Sequence, residues 1–297
     1  MRALSRILGA SALALAALAP AGTAASQQSK RTVDLELVLA VDVSQSMDYE
    51  EHTLQRMGYV DAFRHKDVID AILSGPEGKV AVTVMEWAGD FEPIDLVPWT
   101  ILDSEKAVRA FADRLADEPI NGEQRTSISN ALLSAAQRIE RNNIASHRQV
   151  IDVSGDGANN AGPPVEDARD YVLDRKITIN GLPIILNKPR EYFDIDHLDR
   201  YYKQCVIGGP AAFMVPVFDL KHLASTIRKK LVLEIAGLEV APEVAPVQYA
   251  GADGAADPPE LGITRVQLRL PAEKTDCFAG EKAMGGGGRG FGRFRDQ

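Results

Sequence analysis

The stretch VDLELVLAVDVSQSM, residues 33–47, constrains the fold more than any other part of the chain. Between Leu37 and Val41 it is continuously apolar and rich in Val and Leu, with acids before that run and Asp42 after it. That is the pattern of a strand buried on both faces, which belongs to a parallel sheet covered by helices on both sides. The following residues supply matching elements. Helical spacing of Leu54, Met57, Val60, Ala62 and Phe63 predicts a helix over 49–64, and KVAVTVMEWA (79–88) reads as a second strand. PIDLVPW (93–99) reads as an edge strand because Pro98 interrupts it. Helices are predicted over 104–117 and 127–142, the latter capped by Thr126 or Ser127, then a strand at 148–155 and a helix at 165–175. Two further strands, 177–186 and 211–218, flank a helical segment EYFDIDHLDRYYKQC, and a last helix over 219–237 stops at Gly237. The prediction is one α/β domain over 32–237. It is a doubly wound, mostly parallel six-stranded sheet with helices on both faces.

Residues 1–25 predict the compartment. Arg2 and Arg6 precede an apolar run from Ile7 to Leu18, and small residues follow Pro20, the layout of a cleavable secretory signal peptide. The expected location is the periplasm or the exterior. No later window is long and apolar enough for stable membrane insertion once the signal is removed. Export permits a disulfide, for which Cys205 and Cys277 are the two cysteines of the chain; a buried free thiol at 205 and a loose Cys277 is the alternative. Residues 238–297 read as a Pro/Ala/Gly-rich linker and flexible tail, with TRVQLRL (264–270) as one strand that can dock.

Charge narrows the functions. The chain carries a formal −9, which becomes −11 after loss of Arg2 and Arg6, so nucleic acid is not an expected partner. Five scattered His and two Cys without C-x-x-C or H-E-x-x-H spacing exclude a zinc site of familiar spacing. No G-x-S-x-G surrounds a serine.

Three oxygen-bearing segments converge where strands meet helices, the side on which doubly wound sheets bind ligands. The first is Asp42-Val43-Ser44-Gln45-Ser46, whose carboxylate and two alternate hydroxyls can face one point. NGEQRTSISNAL adds Thr126 just before a helix, and VIDVSGDGANN adds Asp156 between two glycines. Carboxylate and hydroxyl oxygens suit a small hard cation, Mg²⁺ or Mn²⁺.

This set resembles the metal-ion-dependent adhesion site of von Willebrand factor type A domains, across Val33 to Gly237. The resemblance implies the Rossmann-like A-type fold, with Asp42, Ser44 and Ser46 as first-loop ligands or groups behind them. It implies Thr126 as the second-loop hydroxyl and Asp156 as the carboxylate of the third. It also implies a non-enzymatic module whose protein partner supplies a carboxylate to the ion. Gly155 departs from the family, which places Thr or Ser before that Asp. The runs YYKQCVIGGPAAFMVPV and KKLVLEIAG also resemble a bacterial family of exported A-type domains of unknown function.

Other readings start from the same residues. Ser44 and Ser46 can be helix caps, Asp48, Glu50 and Glu51 dipole partners, and Gly-Asp-Gly a simple turn. The result would be an A-type fold with a degenerate site. SGDGANN also resembles a loop of Mg²⁺-dependent haloacid-dehalogenase-type phosphatases, with Asp42 as nucleophile. That reading meets Ser44 where those enzymes carry an acid, and no Lys between Lys106 and Lys176. Trp87, Trp99 and His147 are expected to pack or face solvent.

Overall fold

The computed structural model describes residues 32–89, 92–186, 195–237 and 274–284. The signal peptide expected at 1–25 and the docking strand expected at 264–270 lie outside these. The long apolar run forms β1 (Thr32–Asp42) at the centre of a five-stranded sheet. β2 (Val80–Trp87) and β4 (Ala145–Gly155) flank it in parallel, and β5 (Thr178–Pro183) pairs parallel with β4. β3 (Ile94–Leu102) closes the other edge antiparallel to β2, with Pro98 exposed, as its interrupted sequence predicts. The order is β3-β2-β1-β4-β5.

Alternation along β1 sorts the core into two layers. Leu35, Leu37, Leu39 and Val41 pack with α1 (Tyr49–Arg64), α2 (Lys66–Leu73), α3 (Glu105–Asp117) and α7 (Leu223–Ala236). Val38 and Ala40 pack with α4 (Ile128–Arg141), α5 (Val165–Asp174) and the turns around α6 (Leu198–Tyr201). Gly237 ends α7 in the left-handed region at φ 64°.

The sixth strand expected at 211–218 is not formed. That segment meets β5 through two isolated parallel bridges, Gly181–Met214 and Ile184–Val217. Val215 and Val217 N–H groups donate to the carbonyls of Gly181 and Pro183, but Pro183 has no N–H to give back, and the Phe213 N–H goes to the Asn180 side chain at 3.0 Å. The helix expected around EYFDIDHLDRYYKQC is, in its described part, the short α6 followed by a π turn over Tyr202–Val206. Helix α2 was not foreseen. On α1 the inner face also differs from the apolar reading: Leu54 and Met57 are exposed, while Gln55, Arg56 and Tyr59 are buried.

Cys205 and Cys277 form a disulfide. Part of the region read as loose tail is thereby tied to the domain. Residues 274–284, including α8 (Ala279–Ala283), are held by Thr275 N–H donating to Gln204 Oε1 at 2.8 Å and by Asn159 Nδ2 donating to Glu281 Oε1 at 2.8 Å.

Candidate metal centre

Asp42 is the last residue of β1, and its carboxylate turns back on the loop that follows. The Ser44 N–H donates to Asp42 Oδ1 at 2.8 Å, a local bond typical of Asp at a turn. Ser44 and Ser46 hydroxyls are 2.9 Å apart, and Ser46 donates onward to Asp156 Oδ1 at 2.5 Å. Four residues, Asp42, Ser44, Ser46 and Asp156, are thus joined in series, the first link through the Ser44 backbone N–H, and connect the ends of β1 and β4. Neither serine caps α1. That role belongs to Asp48, which accepts from Glu51 N–H at 2.9 Å while Glu51 accepts from Asp48 N–H at 2.8 Å.

The second loop is fastened to both neighbours. Glu123 N–H donates to the Val43 carbonyl at 2.9 Å, and Ser44 and Glu123 form a bridge. Thr126 exchanges two bonds with Asn160: its N–H donates to Asn160 Oδ1 at 2.9 Å, and its carbonyl accepts from Asn160 N–H at 2.8 Å. Ser127, not Thr126, caps α4 through Asn130 N–H at 3.3 Å. The Thr126 hydroxyl is free of that task and sits against Gly157, where an added Cβ would be 3.4 Å from it. Below the loop, Arg56 pairs with Glu86 and donates to the carbonyls of Leu115 and Glu118, and Asn121 donates to Glu86 Oε2 at 2.6 Å. This buried pair explains why α1 turns polar residues inward.

The structure therefore brings Asp42, Ser44, Ser46 and Asp156 into one bonded chain and sets Thr126 beside the same loop. Asp42 and Ser44 are fully buried. Burial first, and then the nearby Asp156, push the Asp42 carboxyl up to about 8, against hydrogen bonds from Ser44 and the Asp156 backbone. Asp42 Oδ2 is buried with no hydrogen-bond partner. Among the described residues no three His, Cys, Asp or Glu gather as a metal site; the donors here are two carboxylates and three hydroxyls. An open recess of about 370 Å³ adjoins the first two loops, lined by Gln45, Met47, Tyr49, His52, Ile120, Asn121 and Gly122.

Residues 32–239 match the family described as protein of unknown function (DUF1194). The chain belongs to that family. Curated proteins yield no match. Among solved structures, this member of the family is similar to the pilus adhesin SpaC from Lactobacillus rhamnosus GG, with TM-score 0.52, 13% identity, and 68% of this chain and 31% of that one covered. It is also similar to the mussel byssus proximal thread matrix protein 1 with a zinc-occupied MIDAS motif, with TM-score 0.51, 13% identity, and 70% and 49% covered. A von Willebrand factor type A structure from Catenulispora acidiphila matches with TM-score 0.49, 17% identity, and 71% and 44% covered. At such identities the likeness concerns the fold alone, a mostly parallel five-stranded sheet with helices on both faces. The chain spans less than half the length of each of these structures.

Several residues at the site escaped the sequence reading. Asn159 and Asn160 stand inside the quoted SGDGANN segment, and their side-chain oxygens accept from Ser129 N–H in the first turn of α4 and from Thr126 N–H in the second loop. Gln55 donates to Ser154 at 3.0 Å from the buried face of α1. Tyr202 arrives from a segment far away in sequence, and no local pattern announces it.

Proposed function

We propose that this family member is an exported, non-enzymatic binding module. Asp42, Ser44, Ser46, Thr126 and Asp156 hold Mg²⁺ or Mn²⁺, and a protein partner supplies a carboxylate to the ion. The observation that carries the reading is Asp42 Oδ2, a buried carboxylate oxygen without a partner at the end of a chain of hydroxyls. A buried charge is unfavourable unless paired, hydrogen-bonded or bound to a metal. Two carboxylates and three hydroxyls are hard oxygen donors, the chemistry that Mg²⁺ and Mn²⁺ prefer. Five side chains do not complete six-fold coordination, so a place is left for water or a partner's oxygen. The recess beside the first two loops, with Tyr49 exposed at its rim, gives the partner's neighbouring side chains somewhere to rest.

No residue in this arrangement is asked to attack a bond. In a phosphatase, Ser44 would have to protonate a leaving group, and a hydroxyl already shared with Ser46 does not do so at neutral pH. Export is supported by the signal-like residues 1–25 and by the Cys205–Cys277 disulfide, which belongs in an oxidising compartment.

Capture of partners from the native envelope, with Mg²⁺ against chelator, tests the proposal. Binding should require the ion, disappear in Asp156→Ala, and survive moderate salt, because a mature chain at −11 repels an acidic partner at long range. A partner retained equally in excess chelator would show that this surface is not the contact.

A further inference from the structure

Gly155 is where the chain departs from the adhesion-site pattern, and its missing side chain leaves room for another group. A Cβ at 155 would lie 2.7 Å from Asp42 Oδ2, 3.0 Å from the Tyr202 hydroxyl and 3.2 Å from Trp87 Cζ2. The carboxylate oxygen and the phenol oxygen therefore border the same small space. Both residues are fully buried, and neither oxygen has a hydrogen-bond partner. Leaving buried polar atoms unpaired is unfavourable, and a phenylalanine at 202 would fill the same volume without that burden. Two orphaned oxygens converging on one place are better explained by a site that uses them.

The backbone that delivers Tyr202 is itself unusual. It begins the π turn Tyr202–Val206, a form that concentrates at functional positions because the inserted residue re-aims its side chains. Both sides of the turn are fastened. Cys205 is joined to Cys277, and the hydroxyl of the preceding Tyr201 accepts the Asn159 N–H at 3.2 Å, tying this segment to the loop that carries Asp156.

We propose that Tyr202 is a positioning residue of the metal site, its hydroxyl donating to Asp42 Oδ2 and fixing that carboxylate for the cation. The inference rests on the metal-binding reading above. It also accounts for Gly155: a Cβ there would crowd both the phenol and the carboxylate oxygens. Groups that hydrogen-bond to metal ligands orient them, and their loss weakens metal affinity by about 10- to 100-fold.

The test is calorimetric titration of Mn²⁺ into the full chain and its Tyr202→Phe variant, with melting of both proteins in chelator. Tyr202→Phe should bind Mn²⁺ about 10- to 100-fold more weakly. Its melting temperature in chelator should be unchanged or higher, since the substitution removes an orphaned hydroxyl. Mn²⁺ should also perturb the tyrosine near-ultraviolet absorption of the wild type and of Tyr171→Phe, and this difference should shrink in Tyr202→Phe. A role in packing alone would lower the melting temperature in chelator and leave affinity intact. Equal affinity in wild type and Tyr202→Phe, or a variant that fails to fold, overturns the tyrosine's role while the metal site stands. A wild type that binds no Mn²⁺ overturns both.

Discussion

Asp152 and Asp156 lie four residues apart, one within β4 and one just past its end, and each belongs to a buried polar cluster of a different kind. Asp152 sits 2.5 Å from Lys230 Nζ, which also pairs with Glu234 one turn further along α7. Asn180 donates to Glu234 Oε1 at 2.9 Å, and Lys230 lies over the Phe213 ring at 5.1 Å. Burial and then Asp152 push the Glu234 carboxyl up to about 8, and Lys230 opposes them. Two carboxyls share one lysine, so this cluster is closed by a cation of the chain itself. At the other end, Asp42 reaches the same value of about 8 through burial and Asp156, but only hydrogen bonds oppose the rise. Asp42 has no ion pair among the described residues. The lesson is that Asp152 and Glu234 find their cation on a helix, whereas Asp42 is the carboxyl that we propose receives one from outside.

Lys230→Met should break the closed cluster most severely. It leaves two buried carboxyls without their cation, a loss of about 3–5 kcal/mol measurable by urea unfolding. Asp42→Asn in chelator should show no such loss, because a carboxyl raised to about 8 is already protonated there and has no resident cation to lose. Equal destabilisation by the two substitutions would dissolve the contrast. The staple beside the open cluster comes next. Removing the Cys205–Cys277 bridge by the paired serine substitutions should lower stability by about 4 kcal/mol on the chain-entropy account of a loop this long. It should also weaken the response to Mg²⁺, since the same turn carries Tyr202.

The two clusters also differ in pH response. A carboxyl raised to about 8 keeps in the folded state a proton that the unfolded chain has already released. Each such group therefore contributes a stability that falls as pH rises from about 4 towards 8, by roughly 1.4 kcal/mol per pH unit for one proton. Saturating Mg²⁺ should displace the proton of Asp42 and leave that of Glu234. The slope of stability against pH between 5 and 8 should accordingly be steeper in chelator than in Mg²⁺, by about one proton's worth. The smallest effect concerns the frame that both clusters share. Asp48→Ala removes the capping box of α1 and should cost about 1 kcal/mol without altering ion affinity by more than that helix's loosening explains.

Much of this was legible in the sequence where local pattern and local chemistry coincide. β1 announces itself because burial on both faces forces a continuous apolar run, and the loop after it because Asp42, Ser44 and Ser46 alternate. Thr126 and Asp156 were found by the same logic, a polar residue at the boundary of an apolar element. Features made by distant partners were not legible. Gln55 and Arg56 stand outside the apolar spacing of α1, and their buried partners Ser154 and Glu86 come from distant strands. Lys230 has no marking neighbour in KKLVLEIAG, and only the fold reveals Asp152 opposite it. The expected sixth strand is reduced to isolated bridges, with a donor missing at Pro183 and the Phe213 N–H taken by Asn180. Tyr202 depends on a π turn, which no periodicity marks.

The central claim, that the open cluster receives a divalent cation through Asp42, is tested most directly by melting the full chain in chelator, Mg²⁺ and Mn²⁺, beside Asp42→Asn. The wild type should gain stability as ion concentration rises, about 2.7 kcal/mol at 100 times Kd. Asp42→Asn should melt no lower than the wild type in chelator and should gain nothing from either ion. A wild type indifferent to both ions, or an Asp42→Asn variant that responds as the wild type does, would contradict the account.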